Sequence, residues 1–402
     1  MSGEALRPEG SAPAHVLPLI VLAQFAGTSV WFVGNAVLGD LAHLWPHVES
    51  PVGWMTSSVQ LGFIVGTLIV AFAGWSDRFA GHHVFFVSAT GAAVTNLASL
   101  AQPESFLWFI TTRFATGVCL AGVYPVGMKL AASWFREGLG AAIGFLVGAL
   151  VLGTAFPHLL KTVALDASTL IATASGIALL GGFAILIAVP EGPGVARASR
   201  TRFRDAMGVF SDPGFRSAAL GYFGHMWELY ALWAFVPFAV GLALAAPTPA
   251  SVSLGSFAVI AVGSLGCIAG GFASRRIGSA RVAGVQLAGS GACALLSPAV
   301  FLFAPHGLRL AFLLVWGVLV VGDSPQFSAV AARCAPPDRV GTGLTIMNAI
   351  GFAITIPSIQ LLTWLQPHVA DAWLLWALLP GPVVGVISLR RVLRADPTRP
   401  SA

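Results

Sequence analysis

The sequence predicts an all-α integral membrane protein in which twelve transmembrane helices form two pseudo-symmetric six-helix bundles. Of the 402 residues, 56% are hydrophobic and only 9% are charged, whereas a soluble domain carries about 25% charged residues. The chain also divides into apolar windows long enough to cross a bilayer, and a glycine and proline pattern of the first half returns in the second. The composition therefore excludes a water-soluble protein, and the pattern indicates two related halves.

Each apolar window is about 20 residues long, which is enough to cross a hydrocarbon core of about 30 Å. Backbone groups in lipid must be satisfied within the segment, so we expect helices. The short alternating segments of a lipid-facing barrel do not occur. The twelve windows are residues 15–38, 52–74, 83–102, 106–132, 138–161, 168–190, 217–242, 250–273, 281–304, 309–332, 341–365 and 372–390.

The stretch between the two apolar blocks is polar and strongly basic. Residues 191–216 contain five arginines, and a Gly-Pro-Gly sequence near their start stops a helix from entering. We interpret this stretch as a cytoplasmic linker between an N-terminal six-helix half, residues 1–190, and a C-terminal six-helix half, residues 217–402.

Positive charges are distributed unevenly between alternate loops. If both termini are cytoplasmic, the outer side keeps only Lys161 and Arg309. We therefore expect a multi-pass protein of the cell inner membrane with both termini in the cytoplasm. The first apolar run is too long for a signal peptide, so no cleavable signal is expected. The arginines lie in short loops and form no single face, which argues against nucleic-acid binding.

A repeat of helix-breaking residues relates the halves. The spacing Gly117-x4-Gly122-x2-Pro125 in the fourth window recurs, starting at Gly317, in the tenth. Matched repeats of this kind are typical of transporters built from parallel halves. We expect each proline to break its helix beside a central cavity.

The loop after the second window resembles the signature loop of the major facilitator superfamily, Gly-x-x-x-Asp-Arg-x-Gly-Arg-Arg. Residues 73–83 read AGWSDRFAGHH. Ala73 takes the place of the first glycine, one residue is inserted before Gly81, and His82-His83 replace the basic pair.

Two further stretches are similar to the same family, RFATG at residues 113–117 and WFR at residues 134–136. With twelve windows and a central basic linker, the resemblance covers nearly the whole chain. It implies an alternating-access carrier with a site between the halves, and a cytoplasmic gate that includes Asp77 and Arg78. We expect Asp77 to pair with Arg136 or to face the start of the eleventh helix, where the helix dipole favours an anion.

Four ionisable side chains lie well inside the windows: Arg113, His225, Glu228 and Asp323. Buried charges in lipid cost at least about 2.5–3.5 kcal/mol each and are functional candidates by default. Their depths, estimated at about 1.5 Å per residue, predict two layers, Arg113 with Glu228 and His225 with Asp323. In this interpretation Arg113 holds a negative group of the substrate, or Glu228 when no substrate is bound, and Glu228 carries the coupling proton.

Polar and aromatic side chains accompany these charges. In the first window they recur every three or four residues and so share one helical face, which suits a small or amphipathic organic ligand. Such residues also hold membrane helices together without binding anything. The candidates are Gln24, Thr28, Trp31, Asn35, Gln60, Tyr124, Trp227, Tyr230, Trp233, Gln326 and Asn348.

We therefore predict a secondary active transporter of a small organic solute that is coupled to protons and works as a monomer without a cofactor. The four scattered cysteines form no disulfide or zinc pattern. No phosphate-binding loop supports ATP-driven pumping, and no catalytic constellation supports an enzyme. Drug or metabolite efflux by proton antiport and a non-transporting membrane sensor on a carrier fold remain as alternatives.

Overall fold

The chain is described by a computed structural model, which is helical throughout and shows no strand among the residues it describes. The described residues are 12–73, 78–135, 139–163, 165–193, 208–336 and 339–395.

The predicted twelve spans are confirmed within the described part of the chain, each by a helix or helix pair that is long and apolar enough to cross a membrane. The first span runs to residue 44, further than predicted, and the others agree within a few residues. In order, spans 1–12 are Val16–Leu44, Pro51–Ala73, Gly81–Ala101, Phe106–Trp134, Ala142–Thr162, Ala167–Ala188, Pro213–Ala243, Pro249–Ile277, Ser279–Phe303, His306–Cys334, Val340–Leu365 and Asp371–Leu393.

Half of the spans are continuous α-helices, and the others consist of shorter pieces. The continuous helices are Pro51–Ala73, Leu139–Thr162, Ala167–Ala188, Pro213–Ala243, Ser279–Phe303 and Val340–Leu365. The pieces are Val16–Thr28, Val33–Leu41 and Ala42–Leu44 in span 1, Gly81–Ala98 and Ser99–Ala101 in span 3, Phe106–Leu120 and Tyr124–Trp134 in span 4, Pro249–Ala261 and Gly263–Ile277 in span 8, His306–Gly322 and Ser324–Cys334 in span 10, and Asp371–Leu378 and Pro380–Ala395 in span 12. A short 3₁₀ turn, Gly208–Ser211, precedes span 7.

Local sequence fixes where several of these helices begin. The Asp212 carboxylate accepts a hydrogen bond from the Phe215 backbone N–H at 2.7 Å, and Thr248 forms a capping box with Ser251. Both caps are followed by a proline within the first helical turn, where its missing N–H is no loss. Spans 7 and 8 therefore start at positions that the sequence specifies.

The two halves repeat one close helix contact. A side-chain carbon on Gly117 would lie 2.1 Å from the carbonyl oxygen of Val59, and one on Gly317 would lie 2.0 Å from that of Val259. The second pair repeats the first 200 residues later. Spans 2 and 4 thus approach each other as spans 8 and 10 do, which only glycine permits.

The halves meet at one end of the bundle through spans 2 and 11. The spans alternate in direction, so we call the end that holds both termini the termini end and the opposite one the far end. Near the far end, the Gln360 amide donates to the Ser57 hydroxyl at 3.0 Å, and Gly53 lies directly against the Thr363 side chain. This seam closes the far end between the halves.

A second seam joins spans 5 and 8 nearer the termini end. A carbon on Gly148 would be 3.6 Å from both Ser264 and Ile268, and one on Gly263 would be 3.5 Å from Val151. Small residues again allow helices of opposite halves to lie close together.

Candidate functional site

The first span is interrupted in its middle. Residues 29–32 form a turn between two helices, which leaves the carbonyl groups of Val30 and Trp31 free of the usual helical hydrogen bonds. The Arg113 guanidinium, 1% exposed, donates to both carbonyl oxygens at 2.7 Å. Arg113 therefore satisfies the backbone of the broken helix, as a buried polar group in lipid requires.

The same guanidinium reaches a third acceptor in span 3. It donates to Asn96 Oδ1 at 2.6 Å, and Asn96 Nδ2 donates to Ser175 Oγ at 2.9 Å. The network thus ties together spans 1, 3, 4 and 6, and Arg113 lies at its centre. All the contacts that hold this charge lie in the N-terminal half.

Glu228 belongs to a separate network in the C-terminal half. Its Oε1 accepts hydrogen bonds from Ser290 Oγ at 2.5 Å and from Trp316 Nε1 at 2.7 Å. The residue is 1% exposed. Among the described residues, no cationic side chain forms an ion pair with this carboxyl group. It therefore depends on two neutral donors from spans 9 and 10.

The predicted pairing of Arg113 with Glu228 is wrong for this conformation. Depth along a span predicts the height of a side chain but not the direction in which it points. Residues two apart on a helix point about 200° apart, and on span 7 it is Tyr230 that meets the N-terminal half. Glu228 consequently faces spans 9 and 10 within its own half.

His225 and Asp323 do come together, as their depths predicted. His225 Nδ1 lies 2.9 Å from Asp323 Oδ1, and each side chain is 1% exposed. The contact is a close approach and not an aligned hydrogen bond, because the polar atoms of both side chains lack hydrogen-bond partners among the described residues. Asp323 occupies the break of span 10, between helices His306–Gly322 and Ser324–Cys334.

Breaks in spans 4 and 10 confirm the effect predicted for the repeated prolines. The first helix of span 4 ends at Leu120 and the next begins at Tyr124, with Pro125 in its first turn. Pro325 occupies the same place after Asp323 in span 10. Proline has no N–H to continue the ladder, so each span is interrupted at matching depth.

Aromatic rings from both halves meet in the middle of the bundle. Trp31 lies 4.9 Å from Phe63 within its own half, 5.8 Å from Tyr230 and 5.9 Å from Phe352 in the other half, measured between ring centroids. Phe63 and Phe352 also touch across the halves at 4.4 Å. We call these four side chains the central aromatic cluster.

Two further rings extend the cluster along span 1. Phe32 lies 6.3 Å from Tyr230 and 6.1 Å from Trp233. Tyr230 and Trp233 are in edge contact at 5.3 Å. The rings of span 7 therefore form a continuous surface against span 1, at distances typical of aromatic attraction.

Several polar atoms around this cluster are buried without a partner. Both amide atoms of Gln24 and Gln60 and the indole nitrogens of Trp31 and Trp233 form no hydrogen bond with the described residues. A buried unsatisfied donor or acceptor costs about 1–3 kcal/mol. Such atoms are where a bound molecule or water gains hydrogen bonds that the protein does not make itself.

The other predicted site residues are more dispersed. Thr28 donates to the Gln24 carbonyl within its own helix at 2.8 Å, and Trp227 donates to the Ala377 carbonyl at 3.3 Å, away from the N-terminal half. Those that remain are Asn35, which donates to Thr56 at 2.9 Å, the buried Gln326, and the partly exposed Tyr124 and Asn348.

The gate residues are only partly described. Arg78 is exposed and lies between spans 2 and 3. Asp77 and Arg136 lie outside the described residues, as does most of the predicted linker, residues 194–207. The predicted role of these residues in a gate stays a prediction.

Several residues of the site were missed by the sequence reasoning. Asn96 and Ser290 are polar residues within apolar spans, and the signal that selected Gln60 applies to them too. Phe63 and Phe352 carry no such signal, since the chain has 27 phenylalanines and most of them face lipid or ordinary core.

No group of three or more metal-ligating side chains occurs among the described residues. The residues present offer amide, indole and phenol groups, together with the imidazole of His225 and the carboxyl groups of Glu228 and Asp323.

Comparisons with known proteins agree with this architecture. The family model described as Major Facilitator Superfamily matches residues 16–357. The human organic anion transporter MFSD10 (TETRAN) has a TM-score of 0.73 at 14% identity, with 96% of this chain and 100% of that chain covered. A bacterial homologue of the iron transporter ferroportin, in an outward-facing state, has a TM-score of 0.70 at 14% identity, with 94% and 99% covered. At this identity the two structures show the fold alone. Among curated proteins, none matches the chain.

Proposed function

The chain belongs to the Major Facilitator Superfamily, and we propose that it is a secondary active transporter that moves a small organic solute by alternating access, coupled to protons. The arginine distribution supports placing it in a bacterial inner membrane with both termini in the cytoplasm. The far end would then face outwards.

The contacts between the halves support alternating access. In the described part of the chain, they include ring contacts, small-residue seams and an amide hydrogen bond between Gln360 and Ser57. No ion pair joins the halves among the described residues. Contacts of this kind separate and re-form with little loss, because no buried charge loses its partner when the halves rock.

One observation supports the proposed proton coupling. Three ionisable side chains, His225, Glu228 and Asp323, are buried in the C-terminal half and have no arginine or lysine partner among the described residues. Gain or loss of one proton changes the charge of this group by one unit. Within the hydrocarbon such a change amounts to at least about 2.5–3.5 kcal/mol. That is enough to favour one conformation of the halves over the other.

Glu228 is the member of this group that contacts two other spans through hydrogen bonds, from Ser290 and Trp316. When the carboxyl group is ionised it accepts both bonds strongly, and when it is protonated it holds them less strongly. Its proton state therefore changes how tightly span 7 binds spans 9 and 10. We assign the coupling proton to this site and to the adjacent His225–Asp323 pair.

The test is Glu228→Gln, which keeps an oxygen acceptor for both donors but cannot ionise. In proteoliposomes, transport of a solute found by a thermal-shift screen is measured across imposed pH gradients. We expect the variant to bind the solute and to lose the response of transport to the gradient. The matched control is Asp40→Asn, which makes the same chemical change at the Asp40–Lys161 ion pair near the far end. This control should keep the response of transport to the pH gradient. Unchanged pH dependence in Glu228→Gln would refute the assignment of the proton.

A further inference from the structure

The central aromatic cluster presents ring faces of one half to ring faces of the other. The Trp31 ring is inclined by 28° to Tyr230 and by 23° to Phe352, so it is stacked on each of them, while those two rings are tilted by 49° to each other. Phe63 closes one side, at 40° to Trp31. Trp31 and Phe63 move with the N-terminal half, and Tyr230 and Phe352 with the C-terminal half.

In this conformation the rings of the two halves lie too close together to hold the ring of a ligand between them. Carbon atoms are in contact at about 3.5–4.0 Å, so a planar ring inserted between two parallel rings needs about 7–8 Å. The observed centroid distances are 5.8 and 5.9 Å, and a centroid distance is an upper limit on the spacing of two ring planes. The halves must therefore separate by at least about 1–2 Å, and by at most about one ring thickness of 3.5–4.0 Å, to admit one planar ring. Closing the halves then expels the ring or clamps it.

Unpaired polar atoms lie beside the ring faces. Trp31 Nε1 and Trp233 Nε1 are donors without partners, and the Gln60 amide has a free donor and a free acceptor. On span 2, Gln60 lies between Thr56, which bonds Asn35, and the Phe63 ring, so it faces span 1 next to Trp31. A ligand in the cluster thus meets at least two free donors and one free acceptor, all at side chains no more than 1% exposed.

The charges near the cluster already have partners within their own half. Arg113 is held by Asn96 and by the carbonyl groups of the broken helix, and Asp323 is paired with His225. Glu228, two residues from Tyr230, points to spans 9 and 10. An ionic ligand in the cluster would therefore be a buried charge without a counter-charge, which is unfavourable.

We propose that the central aromatic cluster is a binding site for a planar, uncharged organic molecule that carries both a hydrogen-bond donor and an acceptor. The ring of the ligand inserts between Trp31 and the face of Tyr230 or Phe352, which are tilted by 49° to each other. Its polar group bonds the Gln60 amide and the indole N–H groups. The inference rests on the proposed transport function and names the class of solute that this site takes.

Four naphthalene probes of one size test this directly on the purified wild-type protein in detergent, with binding measured by titration calorimetry. They are 2-naphthamide, the anion 2-naphthoate, the cation 2-naphthylmethylammonium, and the saturated decahydronaphthalene-2-carboxamide. We expect 2-naphthamide to bind at least about tenfold more tightly than each of the others, because the ions lack a counter-charge and the saturated ring loses the stacking contacts. Equal or tighter binding of any of the other three, or no binding of 2-naphthamide, would overturn the proposal.

Variants then locate the site. Trp31→Phe keeps a ring but removes an indole N–H that has no partner in the free protein. We expect about a fivefold or greater loss of 2-naphthamide affinity with an unchanged or raised melting temperature, since the free protein loses no hydrogen bond. The matched control is Trp45→Phe, since this equally buried indole donates to the Pro103 carbonyl. It should lower the melting temperature and leave the affinity unchanged. Affinity unchanged in Trp31→Phe would place the site elsewhere.

The outcomes separate this inference from the proposed function. Proton-driven transport of another solute by a protein that does not bind 2-naphthamide would refute the inference and leave the transport proposal standing. Binding of 2-naphthamide with the expected preference, but with no transport at any pH gradient, would support the site and refute the transporter.

Discussion

Replacing Arg113 by leucine tests whether this arginine holds the break of span 1 or waits for a substrate. In the structure it donates to Asn96 Oδ1 at 2.6 Å and to the carbonyl oxygens of Val30 and Trp31 at 2.7 Å. Leucine removes all three bonds and, as long as the break of span 1 persists, leaves three acceptors buried. The site lies between spans of one half, so the loss acts on the stability of that half.

The expected size follows from these three bonds. Hydrogen bonds to a charged group contribute about 1.5–3 kcal/mol each, so the three together contribute about 4.5–9 kcal/mol. Removing the guanidinium also removes the free-energy cost of burying its charge in the hydrocarbon, about 2.5–3.5 kcal/mol. The net loss is about 1–6.5 kcal/mol. At roughly 2–4 °C per kcal/mol for a unit of 150–250 residues, the melting temperature should fall by at least about 2 °C.

The assay is thermal unfolding of the purified protein, followed by tryptophan fluorescence, with and without a bound ligand. Asn96→Leu removes one of the three bonds and should give a smaller fall than Arg113→Leu. Arg113→Lys keeps the charge but replaces the fixed planar fork of five donors by a compact ammonium group, so its melting temperature should lie between those of the wild type and the leucine variant. A leucine variant with the wild-type melting temperature and no ligand binding would refute the structural role and would indicate that Arg113 binds the substrate.

Three further changes test other parts of the architecture. Asp323→Leu and Asp323→Asn both remove the carboxylate that faces the buried His225, so each should lower stability by about 3–5 kcal/mol in the same melting experiment. A much smaller loss in Asp323→Asn than in Asp323→Leu would contradict a charge pair. Gly117→Ala places a carbon 2.1 Å from a carbonyl oxygen of span 2 and should destabilise by about 1–3 kcal/mol or more. The control Gly176→Ala, with nothing within 4 Å, should stabilise by about 0.5–1 kcal/mol. In a background without native cysteines, Gly53→Cys with Thr363→Cys should form a disulfide that stops transport until it is reduced; full transport while oxidised would contradict alternating access.

Much of the fold was predictable because bilayer thickness dictates it. Each span must be long and apolar, so windows in the sequence found all twelve spans in the described part of the chain. The breaks of spans 4 and 10 were predictable because the whole Gly-x4-Gly-x2-Pro pattern occurs in both spans. A proline alone was not enough, since four other prolines lie inside continuous helices, Pro157, Pro237, Pro298 and Pro357.

The candidate site was less predictable because it depends on which way side chains point. His225 and Asp323 meet because they share both height and direction. Arg113 and Glu228 share height only, and each found partners in its own half. Periodicity predicts which residues of one helix share a face, but the neighbour of that face depends on the packing of all twelve spans.

The break of span 1 shows the same limit at the level of the backbone. Residues 29–32 read Ser-Val-Trp-Phe, with neither proline nor glycine, and nothing in them predicts an interrupted helix. The break is stabilised instead from span 4, by Arg113 bonding the carbonyl groups of Val30 and Trp31.

If these bonds from Arg113 cause the break, Arg113→Leu lets span 1 close into a continuous helix. Amide exchange at Gly34 and Asn35 should then slow, since those N–H groups gain the released carbonyl oxygens as acceptors. Faster or unchanged exchange at these two amides would show that the break persists without the arginine.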